Sequence, residues 1–341
     1  MLIPFIVPFL IAMFLAINMG GSGTAAAFSA AYGADVIKKS LIPGLFGIMV
    51  FLGAIIGGEE TAKTVGRGIL DPDKMTYIIV SIILLSVALS LFIANLLGVP
   101  QSTSQAAVLA VSGPAVYLGA FQGDMLFNKI LPAWIITPFI AFFVAFLVGK
   151  YIYKPIRKTG ITISKQLNDN YILKGVILVM ALYNAFAIGA NNVANATGPI
   201  TTMAVNELNV ADTHVIHIMI LATLIIAPSF GIGSSLFGHK IVSNTGKEIV
   251  LFGRIEAAII TFISASILLS SSFMGIPVAD VQITVGAIIG IGVAKMGFVN
   301  IFKKNLVSRV FAVWFIAPAF AFGLSIFLTY LADTYGFINM F

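Results

Sequence analysis

Apolar runs recur along this 341-residue chain at 3–19, 76–97, 131–149, 214–237, 255–275 and 309–331, with a shorter one at 43–57. A helix rising 1.5 Å per residue needs roughly twenty residues to cross a hydrocarbon core of about 30 Å. Runs of that length, so often repeated, point to an all-α polytopic membrane protein, because helices satisfy their own backbone groups in lipid. Composition agrees: 59% of residues are hydrophobic, 9% are charged, and the mean hydropathy is +1.06. Soluble domains are about a quarter charged. The opening stretch "MLIPFIVPFLIAMFLAINMGG" has neither a basic start nor a small-residue cleavage site. It reads as a retained span rather than a signal peptide.

The chain contains no cysteine, which excludes disulfides, thiolate metal sites and thiol catalysis. His214 and His217 form an isolated H-x-x-H without an acidic helper at metal-site spacing, and His239 stands apart; a loop-edge pair is the plain reading. No metal cluster, nucleophile–base pair or cofactor motif is visible, so an enzyme is not expected and no cofactor is implied.

Two stretches repeat each other. "LLGVPQSTSQAAVLAVSG" (96–113) lies over "FMGIPVADVQITVGAIIG" (273–290), and "AWIITPFIAF" (133–142) over "VWFIAPAFAF" (313–322). More weakly, "MGGSGTAAA" (19–27) lies over "IGANNVANA" (188–196). The offsets are 177, 180 and 169 positions, a steadiness that indicates duplication. Lys and Arg favour the cytoplasm in short loops. Segment 150–174 carries Lys150, Lys154, Arg157, Lys158, Lys165 and Lys174, and 295–309 carries Lys295, Lys303, Lys304 and Arg309. These two segments hold ten of the nineteen basic residues, so the net charge of +6 needs no nucleic acid to explain it. The basic bias changes sides between equivalent loops: 119–130 has only Lys129, and 203–214 has none where 33–42 has Lys38 and Lys39. The expectation is two inverted-topology repeats with broken or re-entrant helices. They cover 1–149 and 173–341, join through a basic cytoplasmic linker at 150–172, and cross five times each with both termini outside. Residence in the cytoplasmic (inner) membrane follows, and a homodimer is left open.

The first element of each repeat, 3–32 and 173–204, is too long for one straight span. Gly20, Gly21 and Gly23, and Gly189, Gly198 and Pro199, are the expected break points. Binding near the midplane of inverted repeats is a transporter architecture. Asn191, Asn192 and Asn195 fall at such a point; their amides can hold either an anion or a cation, or act as glue between helices. Ser22, Gly23 and Thr24 occupy the matching stretch of the first repeat. In "GVPQSTSQ", Pro100 precedes Gln101, Ser102, Thr103, Ser104 and Gln105 at a helix start. Hydroxyls and free N–H groups there form an anion site. In the second repeat Asp280 stands at the position of Thr103, and Gln282 at that of Gln105. With Glu60 and Glu256 near span ends, Asp280 and Gln282 are the candidates for holding a coupling ion. Na⁺ at Asn191, Asn192 and Asp280 is the one metal reading. The glycine-rich "GIGSSLFG" (231–238) lacks the context of a nucleotide loop and reads as close helix packing.

These residues resemble the inorganic phosphate transporter (PiT) family. Its duplicated GANDVANA signature is similar to "GANNVANA" (189–196), its Pro-x-Ser-Thr turn is similar to "PQSTS" (100–104), and Glu60 and Glu256 stand where the family keeps membrane glutamates. The resemblance runs along essentially the whole chain. The signature Asp is Asn192 here, and the first copy has become "GGSGTAAA" with Gly23 at that position. Such a degenerate copy with a short central loop resembles the sulfate-permease branch. The resemblance implies secondary active sulfate uptake coupled to H⁺ or Na⁺, with phosphate symport as the alternative. A passive anion channel is the reading from another class.

Overall fold

The computed structural model describes residues 3–33, 35–97, 101–153, 171–238, 254–298 and 305–338. Pro100, most of the central linker with Lys154, Arg157, Lys158 and Lys165, His239, Lys303 and Lys304 lie outside the described residues. The described residues are mainly helical: α1 (Ile3–Gly33), α2 (Ile42–Gly57), α3 (Glu59–Arg67), α4 (Tyr77–Leu97), α5 (Thr103–Tyr117), the short α6 (Gly123–Met125) and α7 (Leu131–Leu147). There follow α8 (Tyr171–Asn192), α9 (Ala194–Glu207), α10 (Val215–Ile226), α11 (Pro228–Gly233), α12 (Arg254–Phe273), α13 (Asp280–Met296) and α14 (Asn305–Thr334). Apart from one bridge between Leu70 and Phe121, the described residues contain no β structure.

Eight segments among the described residues are long and apolar enough to cross a membrane. The chain is a multi-pass membrane protein. Phe139, Ile140, Phe143 and Leu147 on α7, and Phe315, Ile316 and Phe327 on α14, stand exposed on the isolated chain. Apolar side chains at that density cost little against lipid tails or another subunit. The interior holds Leu15, Met19, Phe28, Phe46 and Phe230. α5 and α13, at 15 and 17 residues, fall outside the eight spans. At 1.5 Å per residue they extend only about 22–26 Å. Each is entered through non-helical residues, at 101–102 and 276–279. Five crossings per half therefore require these short helices to count as spans.

α1 is one continuous helix of 31 residues, so the expected break at Gly20, Gly21 and Gly23 is corrected. These glycines serve close packing instead. A Cβ at Gly20 would collide with the Phe230 backbone, and one at Gly21 would lie 2.6 Å from Phe237 Cβ. In the second half the discontinuity falls at Val193, between α8 and α9. Gly189 and Gly198 are contact positions, against the backbones of Val50 and Ala62. Pro199 sits inside α9; lacking an N–H, it takes the usual donor away from the Asn195 carbonyl four residues back.

The glycine contacts come in reciprocal pairs. Gly20 meets Phe230 as Gly189 meets Val50, and Gly233 meets Ile17 as Gly53 meets Phe186. Gly113 meets Phe322, Ser325 and Ile326, whereas Gly290 meets Phe142, Ala145 and Phe146. Partners in these sets differ by 169, 177 or 180 positions, the same offsets that relate the repeated motifs. Exchanging the halves maps each contact onto another. Residues 231–238, read as packing, do pack on α1: Gly233 against Ile17 and Gly238 against Thr24.

Candidate functional site

Four chain segments bring neutral polar side chains together: the start of α5, the α8–α9 discontinuity, the end of α12 and the residues leading into α13. Ser102 is extended (φ −78°, ψ 115°) and its Oγ accepts from the Gln105 N–H at 3.3 Å, starting α5 as an N-cap. Of the N–H groups that open a helix without intrahelical acceptors, those of Thr103 and Ser104 remain on the turn that carries the Ser104 hydroxyl. Ser104 Oγ donates to Asn191 Oδ1 at 3.0 Å and accepts from Asn195 Nδ2 at 3.2 Å. Asn191 Nδ2 donates to Ser272 Oγ at 3.0 Å and to the Ile276 carbonyl at 3.4 Å. Thr61 on α3 donates to the Ser272 carbonyl at 3.2 Å. All of these side chains are buried.

Beside this cluster, Gln282 Nε2 donates to Gln105 Oε1 at 3.1 Å. The two glutamines are 177 positions apart, the offset of the motifs that contain them. Gln101 turns the other way, donating to Ser90 Oγ at 2.8 Å. The Trp134 indole donates to the Pro277 carbonyl at 2.8 Å and so fixes the approach to α13.

Several buried acceptors here have no protein partner among the described residues: Gln101 Oε1, Asn192 Oδ1, Asn195 Oδ1 and Asp280 Oδ1. An orphaned buried acceptor costs about 1–3 kcal/mol, and that of Asn195 sits on a side chain already bonded to Ser104 in the cluster. Thr103 and Asp280 open α5 and α13 at equivalent positions. One helix start is neutral and receptive to an anion, while the other carries its own carboxylate.

Other residues singled out in the sequence lie elsewhere. Ser22 and Thr24 donate to their own helix, at the Met19 and Gly20 carbonyls, and Gly23 packs against Phe46 and Ile188. Glu60 is about half exposed and paired at 2.8 Å with Lys63, which also meets Glu59 at 2.7 Å. The hydrogen bonds that Lys63 donates, to Glu59 first and then Glu60, hold its ammonium above the ordinary pKa. Glu256 is buried and paired with Lys295. Sequence reading missed Ser272, Ser90 and Thr61, and also Asn95, whose Nδ2 donates to the Asn18 carbonyl at 3.0 Å. The repeat offset was the available signal, because Asn95 lies 177 positions before Ser272.

Polar side chains buried together at helix discontinuities in a membrane bundle are a feature of secondary transporters. The profile described as "Phosphate transporter family" matches residues 19–325, and the chain belongs to that family. It is 37% identical to the sulfate permease CysP of Bacillus subtilis (strain 168), over 97% of this chain and 90% of the relative. A second protein of that organism, named "Probable low-affinity inorganic phosphate transporter", is 27% identical over 80% of this chain and 81% of its own. Among solved structures, one titled "The sodium-dependent phosphate transporter" superposes with a TM-score of 0.78 at 20% identity, covering 97% of this chain and 99% of that one. The fold is shared.

Proposed function

We propose that this chain imports sulfate across the cytoplasmic membrane as a secondary active, cation-coupled transporter working by alternating access. The chemistry of the buried cluster carries this reading: Ser104, Asn191, Asn195 and Ser272 bond one another with no carboxylate among them. Sulfate has no proton to donate, so it needs donors, which the α5 start and the amides supply. Hydrogenphosphate has a proton that a selective site meets with an acceptor carboxylate, and an amide stands at Asn192. The similarity to a sulfate permease supports the same choice. Importing a dianion against 100 mV costs about 4.6 kcal/mol, at about 2.3 kcal/mol per charge, so at least two cations must accompany it. Of the three candidate acids, Glu60 and Glu256 stand paired with lysines, while Asp280 keeps an oxygen without a partner among the described residues. Asp280 is therefore the leading acid for coupling.

Uptake of labelled sulfate and phosphate into proteoliposomes, with Na⁺ and H⁺ gradients imposed in turn, tests this. Gradient-driven accumulation of sulfate over phosphate is expected. Preferential accumulation of phosphate would overturn the substrate assignment, and conductance without coupling would indicate a channel.

The reciprocal glycine contacts and the Gln105–Gln282 pair support two halves related by a two-fold axis, and the change of side of the basic residues between equivalent loops supports their inversion. The chain lacks cysteine, so single cysteines can be introduced without background. Labelling is expected only from the cytoplasm at Lys158 and Lys303, and only from outside at Asp124 and Asp212. If Asp124 and Lys303 labelled from the same side, the halves would not be inverted.

A second reading, Na⁺-coupled phosphate symport, has its own support. Asn192 Oδ1, Asn195 Oδ1 and Asp280 Oδ1 are unpartnered oxygens, the kind of ligand that hard cations take. The superposed structure is titled a sodium-dependent phosphate transporter. The Na⁺ arm of the uptake experiment separates the two.

A further inference from the structure

Lys295 Nζ lies 2.5 Å from Glu256 Oε1, with the lysine side chain 20% exposed and the glutamate 2%. Glu256 sits in the first turn of α12 and Lys295 in the last turn of α13. Each charge therefore complements the dipole of its helix end. The segment 274–279 joins the other ends of these helices, beside the Asn191 cluster. The ion pair thus ties the open end of an α12–α13 hairpin.

The remaining charged side chains described near this end are Lys150, on the segment Val148–Tyr153 packed against α13, and Lys174 at the start of α8, which packs against α12. Lys150 lies 5.5 Å from the Phe146 ring centre and 5.1 Å from that of Tyr151, and Lys174 lies 5.9 Å from that of Tyr171. Asp280, on α13 itself, is fifteen residues from Lys295, about 22 Å along the helix. α1, α2 and α7, which also pack against α12 or α13, carry no Asp, Glu, Lys or Arg. α3 touches α12 as well, and its Glu59, Glu60, Lys63 and Arg67 lie with the Ser272 end, where Thr61 bonds.

A carboxylate buried this deeply in a membrane helix must be protonated, bind a cation, or pair with a fixed one. We propose that Lys295 is the specificity-determining residue for the cation at Glu256. Its ammonium is a tethered occupant that keeps free monovalent cations, Na⁺ or H⁺, off this carboxylate. This deepens the coupling assignment above, since it leaves Asp280 as the acid open to a mobile cation. The test reads cation binding rather than uptake, so it stands or falls separately from the sulfate reading.

Thermal unfolding of the purified full-length protein in detergent should be followed for wild type, K295M and E256Q/K295M. In one arm NaCl replaces choline chloride at constant ionic strength; in the other the pH is lowered. K295M is expected to gain several degrees more than E256Q/K295M from Na⁺ or from acid, and the responding arm identifies the cation. Wild type should respond no more than the double variant. If K295M cannot be recovered folded in choline buffer, its recovery should be rescued by NaCl or by acid. A K295M profile parallel to that of E256Q/K295M in both arms, or equal failure to recover under every condition, would reduce Lys295 to a structural tie and overturn the proposal.

Discussion

Replacing Asn192 with aspartate should cut the initial rate of sulfate uptake by two orders of magnitude or more. Asn192 is 4% exposed and its Oδ1 has no partner among the described residues, so a carboxylate there would be poorly shielded. At an effective dielectric constant of about 20, a unit charge about 5 Å from another costs roughly 3 kcal/mol, and a dianion doubles that. Asn192→Ala removes the amide without adding charge, and should cost no more than about tenfold to a hundredfold, the worth of one hydrogen bond to a charged group. The order Asn, then Ala, then Asp is the electrostatic signature. Lowering the pH should restore part of the uptake by Asn192→Asp, because protonation removes the repelling charge. Phosphate, which can donate a proton to a carboxylate, should lose less. Rates measured in proteoliposomes at matched protein density decide it. Wild-type sulfate uptake by Asn192→Asp would remove Asn192 from the anion's path.

Asp280→Asn should leave sulfate exchange nearly intact while lowering the accumulation ratio. If Asp280 carries one cation per cycle, its loss removes about 2.3 kcal/mol at 100 mV, roughly a fiftyfold drop in the steady-state gradient. Exchange of internal for external labelled sulfate involves no net charge movement and does not need that cation. Loading vesicles with unlabelled sulfate for exchange, and leaving them empty for gradient-driven uptake, separates the two quantities. Equal loss in both would make Asp280 part of the anion site rather than the coupling site.

The membrane class was legible because lipid imposes apolar runs of spanning length, and the family because "GANNVANA" and "PQSTS" are specific strings. The meeting of Ser104 with Asn191 and Asn195 was legible in part, since polar residues clustered in apolar runs are expensive and must find one another. Ser22 and Thr24 show where such reasoning fails. A hydroxyl on a helix can satisfy itself on its own backbone at no cost visible in sequence, as both do. Gly20 and Gly21 were read as break points because glycine is a poor helix former. Tertiary contact overrides that preference where two backbones approach closely, as at Phe230. The lysine partners of Glu60 and Glu256 mark another limit. Lys63 is three residues away and could have been anticipated from helical spacing, but Lys295 lies 39 positions off, and only the α12–α13 hairpin brings it to Glu256.

Where the anion sits is the central claim, and selenate is a direct probe of it, being a tetrahedral dianion with an anomalous scattering edge of its own. Crystals of the full chain grown with selenate, with data collected at the selenium edge, should show one buried peak within hydrogen-bond reach of the Thr103 and Ser104 N–H groups and the Asn195 side chain. Excess sulfate should abolish it. A peak held instead by surface lysine or arginine side chains, with none between α5 and the α8–α9 discontinuity, would contradict the account.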